Sequence, residues 1–477
     1  MSFDKNKRET TMTTRTEHDS MGTMQVPADA LYGAQTARAI ANFPISGIRF
    51  PRSFLRALGL IKEHAARVNH ELGLLDDQRS MAIMDAAGEL IEGRLDEHFP
   101  LDIFQTGSGT SSNMNANEVI ARRAMQLLQD KTVGPTIHPN DHVNLGQSSN
   151  DVIPTAMHLA AAEQIAQRLL PTLQSLQQTL EKKSIDFDDI IKIGRTHLQD
   201  ATPVRLGQVF GGYARQVELV RGDLERGLTG LCELPLGGTA VGTGINSHPQ
   251  FAGQVIAGIA IVTGLPLHEA TNHFAAQSGK DQVVAASGTL KTTAVALFKI
   301  ANDIRHLASG PRCGLGEISL PAVQPGSSIM PGKVNPVMAE ALLQACAQTI
   351  GNDAAITLGG LSGNFELNVM MPLLAHNLLQ SIDLLTNSVT QFDQRCLQGL
   401  EANRERCEEL VEQSLAMCTI LAPVIGYDQA AALAKQAAET GQTIREVVRA
   451  SGLLAADEID RLLDPRPMTK PRLEQGD

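Results

Sequence analysis

The segment Gly326 to Pro336, GSSIMPGKVNP, combines one cation, Lys333, with two adjacent hydroxyls, Ser327 and Ser328, and one amide, Asn335. It carries no carboxylate, histidine or cysteine. Gly326, Pro331 and Gly332 exclude both regular helix and regular strand. Donors on irregular backbone suggest a phosphate loop first, and the spacing excludes one. Five residues separate Gly326 from Gly332 where a phosphate loop has four, Val334 stands where Ser or Thr would bind magnesium, and Pro331 removes an N–H from the cradle. The lead-in ISLPAVQP holds two prolines and does not read as a buried strand. The glycines of LGGTAVGTG (236–244) also lack a preceding strand and the dinucleotide-binding spacing.

Four other polar stretches offer donors. In GSGTSSNMN (107–115), Gly107 and Gly109 flank Ser108 and let backbone N–H groups approach an anion, with Ser108 and Thr110 adding hydroxyls. The same stretch could be an ordinary loop before a helix at 116–129, capped by Ser111 or Ser112. In GQSSNDVIPTAM (146–157), Ser148, Ser149 and Asn150 precede a long helix, where capping and anion binding are compatible. GRTHLQDATP (194–203) places Thr196 and His197 in a short polar segment between helices. HPNDHVN (138–144) holds His138, Pro139, Asn140 and Asp141, good turn chemistry by itself.

The elements that must carry these stretches are helical. Leu169, Leu173, Leu176 and Leu180 form one apolar stripe, Phe210, Tyr213, Val217, Val220 and Leu224 a second, and Leu374, Leu378, Ile382 and Leu385 a third. The spacing predicts long helices near 152–183, 204–231, 280–308 and 336–358, with Pro171 kinking the first. Aromatics are 3% with no Trp, and strand-like alternation is scarce, so the predicted fold class is mainly α, a helical bundle. Thr443-Ile-Arg-Glu446 reads as a capping box in a run of short segments beyond Asn403. The expected organisation is a disordered tail (1–17), an N-terminal domain (18–147), a central helical bundle (148–402) and a small helical C-terminal domain (403–477).

With 477 residues and 43% apolar composition, the chain can bury more than one core. A net charge of −12 argues against nucleic acid and leaves an anionic substrate dependent on local positive charge. Six cysteines, none in a CxxC pair or a zinc spacing, point to reduced thiols and a cytoplasmic location. No run of 18 apolar residues is present, so no membrane span is expected.

Together these segments resemble the fumarase/aspartase superfamily, whose signature GSSxMPxKxN stands here as Gly326 to Asn335. The likeness runs from about His18 to the C-terminus. Within the superfamily the chain is similar to class II fumarase: QTGSGT (105–110), His197 where aspartases have Gln, Gly332 where they have Ala, and SGNFELNV (362–369).

The resemblance implies a homotetramer with a twenty-helix core, each active site drawing on three subunits. It implies reversible hydration of fumarate to L-malate through a stabilised aci-carboxylate, with no metal or other cofactor and no nucleic-acid or membrane partner. Ser327 is implied as the base for the carbon proton, with His197 on the oxygen side paired to Glu340. Ser108, Gly109, Thr110, Ser148, Ser149, Asn150, Thr196, Ser328, Lys333, Val334 and Asn335 are implied to hold the dicarboxylate. A second anion site would use His138, Pro139, Asn140 and Asp141. It departs from the family pattern in Pro135 and Leu145, where relatives carry cations. An ammonia-lyase acting on aspartate and an inactive relative are the alternatives; His197 speaks against the first and the intact motifs against the second.

Overall fold

The structure, a computed structural model, describes residues 13–129 and 135–471. The chain begins there as a hairpin, β1 (Thr14–Asp19) and β2 (Gly22–Pro27), paired antiparallel from Thr14↔Pro27 to Asp19↔Gly22. This corrects the tail expected over 1–17 for its last four residues; the part before residue 13 lies outside the described residues. The polar composition of TRTEHD hid the strand. It is held by Arg15, whose guanidinium donates to the carbonyls of Pro27 (2.7 Å), Ala30 (2.6 Å) and Tyr32 (2.6 Å).

Helices follow: α1 (Ala34–Asn42), α2 (Arg52–Glu71), α3 (Asp77–Ile91), α4 (Thr110–Gln129), α5 (Ser149–Gln164) and α6 (Leu170–Asp186). A π turn, Ile165–Leu169, joins α5 to α6, closed by Leu170 N–H donating to Ile165 O. It is the local answer to Pro171, which cannot donate and whose ring would press on the carbonyl four residues back. A second hairpin, β3 (Ile191–Thr196) and β4 (Gln199–Arg205), leads into α7 (Leu206–Leu231). Then come α8 (Phe251–Thr263), α9 (His273–Ser278), α10 (Asp281–Leu307), α11 (Val337–Gly360) and α12 (Met371–Phe392). The C-terminal helices are α13 (Arg404–Gln413), α14 (Ala422–Ile425), α15 (Tyr427–Thr440), α16 (Ile444–Ser451) and α17 (Ala456–Leu462). The predicted long helices are present within a few residues of their expected ends, and every residue of the three apolar stripes is buried. Of the described helices, α10 has the length and apolar content of a membrane span; it also carries Lys291 and Lys299 and buries Val283, Leu290, Leu297 and Ile300 in protein.

Contacts group the chain into two compact units. Among the described residues, one takes 13–129, 135–170, 223–292 and 348–384, the other 171–222, 293–347 and 385–471. The expected boundaries at 147/148 and 402/403 are not these, because α7, α10, α11 and α12 each give part of their length to either unit. In the first unit α2 packs on α3, α5 and α8 through Phe54, Leu58, Ile61 and Ala65. Polar groups pin its long helices: Ser287 Oγ (2.7 Å) and Lys291 Nζ (2.6 Å) donate to Asp353, and Asn352 Nδ2 donates to Ser381 Oγ at 3.0 Å.

In the second unit, Val411, Met417, Leu433, Ile444, Val447 and Ile459 form one cluster with Ile191 and Ile193 of β3. The C-terminal helices thus share their core with β3. The Thr443–Glu446 capping box forms as expected, starting α16. A buried charge group fixes β3: Arg195 Nη1 lies 3.0 Å and Lys192 Nζ 3.3 Å from Glu317 Oε2, and Glu317 is fully buried. Burial pulls the Lys192 ammonium down, and Glu317 opposes that. Removing this carboxylate leaves two sheltered cations unpaired. Glu317→Gln is expected to cost about 3–5 kcal/mol, read from denaturant unfolding; a loss below about 1 kcal/mol would place Glu317 among exposed, weak pairs.

Candidate active site

The GSGT and SSN stretches meet in the first unit. Gly107 is packed so closely that a Cβ there would lie 1.8 Å from the Val369 carbonyl oxygen, and its own carbonyl accepts from Met371 N–H at 3.0 Å. Gly109 has φ +70° and faces the Ile153 side chain, so both the conformation and the space call for glycine. The backbone then turns directly into α4, which starts at Thr110. This corrects the expected start at 116 with Ser111 or Ser112 as cap. Ser112 lies inside the helix, its N–H and hydroxyl both donating to Gln105 Oε1 at 3.0 Å.

Three candidate hydroxyls form a chain: Ser108 Oγ to Thr110 Oγ1 at 2.7 Å, and Thr110 Oγ1 to Ser149 Oγ at 2.7 Å. Ser148 is the cap of α5, its hydroxyl accepting from Asn150 N–H at 3.2 Å while Asp151 Oδ1 accepts from Ser148 N–H at 2.9 Å. Asn150 Nδ2 donates to Ala240 O at 2.8 Å. The hydroxyls and the α5 N-terminus thus present donors to a negative group in one place.

The second unit carries His197, Glu340 and the Gly326–Pro336 loop. The loop of Gly326 to Pro336 is closed at its base by Gly326 N–H to Lys333 O (2.9 Å) and Asn335 Nδ2 to Gly326 O (2.6 Å). Gly332, at φ +79°, makes the return. Ser327 Oγ accepts from Ile329 N–H (3.2 Å) and Met330 N–H (3.0 Å). Two backbone donors on one hydroxyl oxygen favour its deprotonated form. Lys333 is exposed, and among the described residues its ammonium has no partner. Val334 is 47% exposed.

His197 is not in a simple polar segment, as the sequence suggested, but at the tip of the β3–β4 hairpin. His197 (φ 56°) and Leu198 (φ 60°) are both left-handed, as a two-residue hairpin turn requires. Neither is a residue that enters that region freely, and such strain clusters where function fixes the backbone. Thr196 precedes it, also exposed. His197 lines a cavity of about 520 Å³ with Lys192, Arg195, Tyr213, Asp303 and His306. Among the described residues no hydrogen bond or ion pair joins it to Glu340, whose backbone N–H opens α11 by donating to Pro336 O at 3.1 Å.

A family model described as Lyase matches residues 22–351, and one described as Fumarase C C-terminus matches residues 417–470. The chain is 53% identical over 457 residues to the class II fumarate hydratase of Nitrosomonas europaea, covering 96% of this chain and 99% of that one. To the class II fumarate hydratase of Halobacterium salinarum it is 55% identical over 463 residues, covering 97% and 98%. The crystal structure of recombinant class II fumarase from Schistosoma mansoni superposes with a TM-score of 0.91 at 42% identity, covering 96% and 99%. The chain belongs to the class II fumarate hydratase family.

In this family member the residues of the second anion stretch bond one another. His138 Nδ1 accepts from Asp141 N–H (3.2 Å) and lies 3.1 Å from the Asp141 carboxylate. Pro139 begins a π turn, Pro139–Val143. His138, Pro139 and Asn140 line a cavity of about 570 Å³ with Arg15 and Arg122, but both arginines pair with Glu17. These cations, from β1 and α4, are not near the stretch in sequence.

Sequence reasoning also missed the buried groups that support these candidate residues. Asp151 is fully buried, its Oδ2 accepting from Thr239 N–H (2.9 Å) and Gly237 N–H (3.1 Å). Lys62 is fully buried too, donating to Asn113 Oδ1 (2.9 Å), Asn144 Oδ1 (3.0 Å) and Gln147 Oε1 (2.9 Å). Its signal was available: Lys62 shares a helical stripe with Leu58, Ala65 and Asn69. Gly107→Ala is expected to displace the GSGT turn and lower stability by about 1–3 kcal/mol. Gly88→Ala, with open space around it, is expected to be neutral or stabilising by about 0.4–1 kcal/mol. Thermal unfolding of both variants checks the contrast, and equal effects would mean that the close approach at Gly107 carries no constraint.

Proposed function

We propose that this chain interconverts fumarate and L-malate, acting as a homotetramer whose sites gather the Ser108 and Ser148 stretches, the His197 hairpin and the Gly326–Pro336 loop from three copies. The observation that carries this reading is the loop: a hydroxyl, Ser327, receiving two backbone N–H groups, in the same short turn as the unpaired ammonium of Lys333. Removing a proton from carbon beside a carboxylate builds a second negative charge on that carboxylate. Fixed donors aimed at that charge are worth more than a strong base. Ser327 takes the carbon proton, the C–H electron pair forms the double bond, and the C–O pair leaves with hydroxide, which His197 protonates. Reversal hydrates fumarate. Glu340 of another copy orients His197 in this scheme.

Lys333, Asn335 and Ser328 hold the developing aci-carboxylate, with Val334 between them. Ser108, Gly109, Thr110, Ser148, Ser149, Asn150 and Thr196 hold the carboxylates as neutral donors. His138, Pro139, Asn140 and Asp141 remain a second anion stretch of weaker charge. The tetramer is supported by exposed apolar side chains on α7, α8, α10 and α11, among them Leu219, Ile261, Val262, Val295, Phe298 and Leu358, which association would bury. All six cysteines are free, in keeping with a reducing, cytoplasmic setting.

Purified protein should change the ultraviolet absorbance of fumarate and of malate without added metal. Ammonia release from aspartate with malate inert would replace this reading. Lys333→Ala is expected to lower turnover by at least about a hundredfold while the assembly, followed by light scattering, is kept; near wild-type rates would remove Lys333 from the site. His197→Asn is expected to lower kcat by about a hundredfold or more with KM little changed. Equal losses in both would make the histidine a support for the hairpin.

A further inference from the structure

Lys62 is a cation with no part in the reaction above, yet it is sealed behind the candidate donors. Its three N–H bonds are all taken by side-chain amide oxygens, from Asn113 on α4 and from Asn144 and Gln147 in the segment before α5. Two of the three acceptors lie close to a candidate donor along the chain. Gln147 directly precedes Ser148, and Asn113 lies one helical turn after Thr110. The amides also bond one another: Asn113 Nδ2 donates to Asn144 Oδ1 (3.1 Å) and Asn144 Nδ2 to Gln147 O (3.1 Å). We propose that Lys62 is a positioning residue for dicarboxylate binding, its ammonium holding the Ser148–Asn150 segment in register with Ser108 and Thr110. The inference rests on the dicarboxylate reading of those donors.

Two observations favour this over plain structural support. Burying an ammonium is costly, and an apolar side chain of similar volume would fill the space with less penalty. Burial here pulls the Lys62 ammonium down to about 7, with Asp151 opposing in part. The ammonium is also the group on which the three amide oxygens converge, so losing it unties Asn113, Asn144 and Gln147 behind the donors without removing any donor.

Steady-state kinetics with malate, and calorimetric titration with a non-reacting dicarboxylate, test it on Lys62→Met and Gln147→Leu in the full chain. For Lys62→Met, KM and the dicarboxylate Kd are expected to rise about tenfold or more, with kcat falling less than about threefold. Gln147→Leu keeps the ammonium and loses one acceptor; a rise of about threefold is expected, and this variant decides the matter if Lys62→Met does not fold. Unchanged KM and Kd in the folded variants would overturn the proposal, as would a fall in kcat and thermal midpoint at constant KM, which is the mark of mere scaffolding. Wild-type protein that binds the dicarboxylate but turns over neither fumarate nor malate would overturn the functional reading and leave this inference to be judged on the Kd values.

Discussion

The first unit depends on one buried carboxylate. Asp151 gathers three backbone N–H groups, from Ser148 at its own helix end and from Gly237 and Thr239 in a distant loop. Left unpaired, those donors and that charge would each cost more than an ordinary hydrogen bond contributes. Paired, they fix where α5 starts. Where α5 starts decides where Ser148, Ser149 and Asn150 point, and Thr110 is set by its bond to Ser149. Burial raises the Asp151 carboxyl, and the N–H donors work against that. The site is therefore founded on a charge that never reaches it.

Glu317 plays the same part in the second unit. It holds Lys192 and Arg195 on β3, and β3 ends at the strained His197–Leu198 turn. Strain at a hairpin tip persists only if the flanking strands are over-determined. Here one strand is tied by a buried ion group and by the packing of Ile191 and Ile193 against the C-terminal helices. In both units, then, an acid inside the fold restrains backbone beside candidate side chains: the half-buried Ser148–Asn150 segment in one and the exposed His197 in the other. A chain of net charge −12 can in this way offer locally positive, donor-rich surfaces to a dianion.

The helices were legible because their signal is local and repeated. The stripes at Leu169, Phe210 and Leu374 recur over several turns, and burial follows the period. The irregular backbone of the Gly326–Pro336 loop was legible for another reason: Gly326 and Gly332 can be read as backbone requirements. What failed was whatever distant contacts decide. Thr14–Asp19 looks unstructured until Arg15 finds three carbonyls. The start of α4 moved six residues because Gly107 packs on Val369 and Ser112 binds Gln105. The His197 hairpin was missed because its turn uses His-Leu rather than Asn-Gly. Asp151 read as one acid in a polar run, and its role exists only once the 237–239 loop is brought to it.

The exposure of the reactive groups is itself informative. His197 and Lys333 carry no partner among the described residues, and Ser327 is only partly covered. A base made from a serine hydroxyl works only where water is excluded and donors are fixed. A single chain gives the donors but leaves these groups open to solvent. In the proposed tetramer the missing walls come from other copies, so catalysis and assembly become one requirement. In that proposed tetramer, burying the exposed apolar residues of the long helices and gathering the ammonium, the imidazole and the hydroxyl chain around one diacid would be a single event.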